Sequence, residues 1–108
     1  MKKRARGHDD AWIRLPSRTE TLILDLLREG GDLYGLELVD ASDGRVKRGT
    51  VYVTLGRMEE KGYVESRLEA AAGVGGLPRR LYRLTPQGRR ALEIAALART
   101  RLTPAIAR

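Results

Sequence analysis

The sequence predicts a mainly α-helical fold with one small β-hairpin, and three observations carry that prediction. Apolar residues recur at three- and four-residue spacing in four separate stretches, each with helix-capping residues at an end. Two stretches, 63–68 and 79–84, alternate instead, and the small, glycine-rich residues 70–77 separate them. The hairpin directly follows the third helical stretch, within RVKRGTVYVTLGRMEEKGYVESRLEAAAGVGGLPRRLYRLT, residues 45–85. A helix with a basic polar face followed at once by a basic hairpin is the layout of a winged helix-turn-helix.

The elements follow in order. Ser17 and Glu20 form an S-x-x-E capping box, with Pro16 just outside it. Leu22, Ile23, Leu26 and Leu27 supply a helical stripe, and Gly30-Gly31 ends the helix. Asp32 is placed to cap a second helix, with Leu33, Leu36, Leu38 and Val39 as its apolar positions and Ser42-Asp43-Gly44 as its stop. Gly49-Thr50 opens the third helix and Gly62 closes it, with Val51, Leu55 and Met58 on one face toward a core. In the hairpin's second strand, Arg80, Tyr82 and Leu84 share one face, and Arg79, Leu81 and Arg83 the other. Thr85-Pro86 starts the last helix, Thr as N-cap and Pro in the first turn. The middle of that helix, Ala91 to Ala98, is apolar all round except for Glu93, so it must bury more than one face. Its own domain covers one side and a second chain the other.

A chain of 108 residues suits one domain. The expected division is a basic N-terminal arm at 1–14, a winged helix-turn-helix at 15–85, and a dimerisation helix and tail at 86–108. A net charge of +7 fits a polyanionic partner, and its distribution sharpens the reading. Between Glu20 and Asp43, seven acids face the single Arg28; between Arg45 and Arg90, eleven basic residues face Glu59, Glu60, Glu65 and Glu69. The second half is therefore the part that meets phosphates. With no cysteine, disulfides and thiolate metal sites are excluded, and a reducing cytoplasm is compatible. No apolar run approaches the roughly 20 residues of a membrane span, and MKKRAR is followed by charge rather than by a signal-peptide core.

On the third helix, Thr50, Thr54, Arg57 and Lys61 fall within about 60° of one another and include no acid. Ordinary solvated faces mix both signs, so this one is read as the DNA face. The threonines sit where base edges and methyl groups can be reached, and Arg57 and Lys61 can reach phosphate or guanine. Lys47 and Arg48 stand ahead of the helix N-terminus, whose partial positive charge also favours phosphate. Arg79 and Arg80, at the base of the wing, are assigned to the phosphate backbone or the narrow minor groove. The plain alternative is an exposed strand pair balanced by Glu65 or Glu69. Tyr52 lies off this face, as a core or a phosphate-contacting residue.

LYGLELV at 33–39, RGTVYVTLGRMEEKGYVESR at 48–67 and GLPRRLYRLTPQGRRAL at 76–92 together resemble the PadR family of bacterial transcriptional regulators. The resemblance covers residues 22–92. It rests on Gly49-Thr50-x-Tyr52, Leu55, Met58-Glu59 and Gly62, then on Arg79-x-x-Tyr82-x-Leu84-Thr85-x-x-Gly88. It implies a homodimer that binds double-stranded DNA at an inverted repeat near a promoter, usually as a repressor, and it favours phosphate contact for Tyr52. The chain looks like a short form, with one C-terminal helix. It departs from the family in carrying Val53 where proline is common, and in having no aromatic residue in the last helix.

Leu92, Ala95, Ala96, Ala98 and Leu102 are expected to face the dimer partner, with Ile94 and Leu97 shared with the domain. Trp12 is expected to pack against the last helix or the partner and is the candidate effector residue. A small-molecule effector, if there is one, should be hydrophobic and flat. His8 stands alone in a charged arm, and Gly73-Val74-Gly75-Gly76 lacks the G-K-[ST] ending of a phosphate loop, so neither a metal nor a cofactor is expected. One histidine, no cysteine and no clustered carboxylates leave little for catalysis. The alternative function is a protein-interaction winged helix that does not bind DNA; an acid on the third helix's polar face would favour it.

Overall fold

The computed structural model describes residues 15–70 and 77–107, with the side chains of the last helix as far as Arg99. The expectations for the arm at 1–14, with His8 and Trp12, for the glycine tip at 73–76 and for the Leu102 side chain lie outside those residues.

Helix α1 (Arg18–Gly30) begins at the expected capping box. Ser17 Oγ accepts the Glu20 N–H at 3.1 Å, and Glu20 Oε1 accepts the Ser17 N–H at 2.9 Å. Gly31, at φ 81°, ends the helix in a conformation that favours glycine. The deeply buried stripe is Ile23, Leu24 and Leu27, continued by Glu20 and Thr21. Leu22 and Leu26 flank it, half-buried, because the stripe is centred one position away from the expected one.

The second helical segment differs from expectation at its start. Leu33–Tyr34 form a two-residue strand, β1, and helix α2 (Gly35–Ala41) begins after it. Tyr34, not Asp32, is the N-cap residue, and Glu37 Oε1 accepts the Tyr34 backbone N–H at 2.8 Å. A two-residue strand has no periodicity to read, and its pairing is set by a strand some fifty residues away. Leu38 is fully buried, whereas Leu36 is exposed. The helix ends in the expected turn, with Asp43 at φ 60° and Gly44 at φ 86°. Ser42, also fully buried, closes it: its Oγ donates to the Val39 carbonyl and accepts the Val46 N–H, each at 2.8 Å. That bond seats Val46, a core residue supplied by a loop.

Helix α3 (Val51–Glu60) has Thr50 at its N-cap, and Gly62 follows it at φ 81°. Val51, Leu55 and Met58 are fully buried, as the spacing predicts. Strands β2 (Val64–Glu69) and β3 (Arg79–Leu84) pair antiparallel, with Ser66 opposite Tyr82 and Leu68 opposite Arg80. β1 joins the free edge of β3, Leu33 opposite Tyr82, giving the order β1-β3-β2. Tyr82 and Val64 carry the sheet into the core.

Helix α4 (Pro86–Ala107) opens at Thr85, whose Oγ1 accepts the Gly88 N–H at 2.9 Å. The same hydroxyl faces the Gly62 carbonyl at 2.6 Å and the Tyr63 carbonyl at 3.0 Å. This clasp holds the start of α4 on the turn between α3 and β2. It also sets which face of α4 looks inward. Leu92 and Ala95 are buried within the chain itself, while Ile94 and Leu97 are 50% and 60% exposed. For four residues the expected division is reversed: Leu92 and Ala95 belong to the domain, and Ile94 and Leu97 face outward. Ala96 is exposed and Ala98 half-buried. An all-apolar helix has no polar face to fix its rotation, so sequence alone could not choose between the two.

Candidate nucleic-acid interface

Helix α3 turns Val51, Leu55 and Met58 inward, so the direction opposite them points to solvent. Thr50, Thr54, Arg57 and Lys61 lie along one flank of that solvent side. Thr50 and Arg57 are exposed and Thr54 is half-buried. Among the described residues, the side chains of Lys47, Arg48 and Arg57 have no ionic or hydrogen-bonding partner. Lys47 and Arg48 stand ahead of the N-terminus of α3, where they add to the positive end of the helix dipole, and Arg57 lies in its last turn. Glu59 and Glu60 are exposed on the same helix, farther from its N-terminus.

Lys61 departs from the expected role. Its Nζ lies 2.8 Å from Glu20 Oε2, and Glu20 is only 3% exposed. The ammonium also sits 5.7 Å from the Tyr63 ring centroid. Lys61 is therefore committed to neutralising a buried carboxylate of α1. The helical wheel puts it beside Arg57, but the pairing spans 41 residues and leaves no local sign.

Tyr52 is half exposed, with its ring laid on Gly35 at the start of α2. A Cβ at Gly35 would fall 2.5 Å from the Tyr52 ring. The hydroxyl end is thus held at the α2–α3 junction and kept out of the core. Next to Gly35, Tyr34 carries the Arg79 guanidinium 4.0 Å from its ring centroid. A stacked guanidinium keeps the N–H groups on its edge available to an anion. Arg79, Tyr34, Gly35 and Tyr52 thereby link the wing to the helix pair.

Arg80 is positioned differently. Its guanidinium donates to Ser66 Oγ at 3.0 Å, and Ser66 Oγ donates to Glu59 Oε2 at 2.7 Å. This chain ties the wing's second strand to the last turn of α3. Neither arginine is balanced by Glu65 or Glu69 in the way the plain alternative requires; Arg67 takes Glu69 at 2.8 Å. Beneath the wing, burial and the nearby Glu59 carboxylate push the Tyr82 phenol above its ordinary pKa, with Arg80 opposing.

Sequence reasoning missed Tyr34, Ser66 and Val53. The first two act through cross-strand neighbours. Val53 stands out only once the inward face of α3 is fixed, because it is then 58% exposed on the helix's outer side. Elsewhere, an open groove of about 620 Å³ runs between α1 and α4, lined in part by Leu22, Leu92, Arg18, Asp25, Arg89 and Glu93.

Three helices, a three-stranded sheet with an extended hairpin, and a following long helix define a winged helix-turn-helix, with α3 in the recognition position and β2–β3 as the wing. The description of the PadR-like transcriptional regulator family matches residues 23–94, and the chain belongs to that family. A PadR family transcription regulator from hypervirulent Clostridium difficile R20291 is similar at 31% identity. The match covers 83% of this chain and 95% of that one, with a TM-score of 0.72. A transcriptional regulator from Clostridium thermocellum shares 30% identity over 81% of this chain and 87% of that one, TM-score 0.65. Bacillus subtilis PadR, solved in complex with operator DNA, has the same fold at 22% identity and TM-score 0.65, over 73% of this chain and 46% of that one. No curated protein matches the chain.

Proposed function

We propose that the chain is a sequence-specific, double-stranded-DNA-binding transcriptional repressor, acting as a homodimer on an inverted repeat, without catalytic activity. The observation that carries the reading is the set of unpaired cations along α3, Lys47 and Arg48 ahead of its start and Arg57 in its last turn, beside a wing that presents Arg79 and Arg80. A surface of this kind supports a polyanion over a protein partner. Thr50 and Arg57 are assigned to the major groove, Thr54 to its margin, and Lys47 and Arg48 to phosphates at the helix N-terminus. Tyr52 is assigned to a phosphate beside α2, and Arg79 and Arg80 to the backbone or minor groove under the wing. Residues 15–85 form the reading head, and the helix from 86 onward the dimerisation element. Ile94 and Leu97 support assembly through α4, as exposed apolar side chains three residues apart on its outer face. The site of action is the bacterial cytoplasm; among the described residues no helix is long and apolar enough to cross a membrane.

The test is a footprint on the DNA around the chain's own gene, followed by a salt titration of the protected duplex. Binding should weaken steeply with salt through counterion release. Arg57→Ala should relax preference at one base pair per half-site by about 1–3 kcal/mol. Arg79→Ala with Arg80→Ala should weaken all sequences alike. Salt-independent binding, or no binding to any duplex, would reject the reading.

A further inference from the structure

We propose that Val53 is a specificity-determining residue, a base-reading side chain whose methyl groups pack on the C5-methyl of a thymine in the major groove. The inference rests on the DNA-reading assignment of α3 and adds a contact to it.

Val53 is 58% exposed near the N-terminus of α3, on the side turned away from Val51, Leu55 and Met58. At helical spacing, Thr50, Val53 and Arg57 fall within about 60° of one another, with the valine at the edge of that sector and between the exposed threonine and the unpaired arginine along the helix axis. An exposed β-branched apolar residue gives a helix no stability: it restricts χ1 and buries little. No packing within the domain accounts for it.

The neighbouring Gly56 is unexplained on the same terms. It sits inside α3, outside the left-handed region, and a Cβ there would meet nothing within 4 Å. Glycine in a helix interior is less favourable than alanine, and here the fold obtains nothing in return. The result is a low shoulder beside Val53, leaving the valine as the projecting apolar group. Glu60 lies a further seven residues along on the same side, about 10 Å up the helix axis from Val53.

The chemistry selects one occupant. Phosphates and the polar edges of bases offer nothing to a valine, and Arg57 one turn on, with Lys47 and Arg48 ahead of the helix, turns the surface toward DNA. In the major groove, the thymine methyl is the apolar group that a base pair presents.

The test uses the full chain and its footprinted operator, with each thymine replaced in turn by deoxyuridine, which removes the C5-methyl alone. The wild-type chain should lose about fourfold in affinity at one thymine per half-site, the effect of one buried methyl group. Val53→Ala should bind the thymine and uracil duplexes equally at that position, and Val53→Thr should retain part of the difference. Circular dichroism matching that of wild type checks that each variant is folded. If no thymine is sensitive, or if Val53→Ala keeps the full penalty, the proposal falls while DNA binding stands. A chain that binds no duplex at all loses both the contact and the proposed function.

Discussion

Lys61 Nζ sits 2.8 Å from Glu20 Oε2, joining the last turn of the recognition-position helix to the first turn of α1. The glutamate serves two ends: Oε1 caps Ser17 while Oε2 meets the lysine. A carboxylate that buried requires a partner, and the partly exposed lysine supplies it while keeping much of its own hydration. The pair fixes the axial position of α3 on the domain.

Lys61→Met should therefore lower stability by about 1–3 kcal/mol, the range for leaving a buried polar group unsatisfied. Adding Glu20→Gln should recover part of the loss, since the neutral amide can still occupy the capping position. Measured well below the melting temperature, the salt slope of DNA binding should be unchanged in Lys61→Met. A slope smaller by about one unit would mean that Lys61 contacts a phosphate after all.

The two faces of α4 predict opposite outcomes for one kind of substitution. Ile94→Glu or Leu97→Glu places charge on the outer face; the fold should persist, and sedimentation should show a dimer for wild type and monomers for the variants. Ala95→Glu, at a position 5% exposed within the single chain, should instead lower the melting temperature of the domain itself. A stable dimer in the Ile94→Glu, Leu97→Glu double variant would move the interface off this face.

Gly88 lies in the first turn of α4, where a Cβ would sit 2.1 Å from the Tyr63 carbonyl oxygen. The obstacle is backbone, already held by the Thr85 N–H at 3.1 Å, so it cannot swing aside. Gly88→Ala should lift the helix from the α3–β2 turn and destabilise the chain by about 1–3 kcal/mol, in the range for overpacking. Denaturant unfolding measures this directly, and a neutral result would mean that the clasp is loose.

The parts of the fold that were legible in the sequence are those set by local chemistry. Ser17 and Glu20 are three residues apart and cap each other; Val51, Leu55 and Met58 mark one helical face; Thr85-Pro86 opens a helix. What sequence did not reveal depends on distant partners. β1 exists because Leu33 and Tyr34 meet β3, and Lys61 pairs with Glu20, which is buried beside it. Arg79 and Arg80 were recognised as wing cations, but their different settings, on Tyr34 and on Ser66, come from cross-strand geometry. The rotation of α4 was equally hidden, since Leu92, Ile94, Ala95 and Leu97 are all apolar and the choice between them comes from tertiary packing and the Thr85 clasp.

Tyr82 offers a test through pH. Burial and the Glu59 carboxylate both disfavour the phenolate, so its pKa in the folded chain is raised above the ordinary value of 10.0. In the unfolded chain the phenol titrates at its ordinary value. Above that pH the folded state holds the proton more tightly than the unfolded state, so raising the pH favours unfolding. The contribution is thus complete below about pH 10 and is lost as pH rises through the folded pKa. In an ultraviolet titration, the ionisation of Tyr82 should be delayed beyond its ordinary value and accompany the loss of helical circular dichroism. Tyr82→Phe should remove that late step and flatten the alkaline loss of stability, because the ring remains in the core without an ionisable group. If all four phenols titrate together while the chain is still folded, Tyr82 is open to water and the packing beneath the wing is looser than its 4% exposure implies.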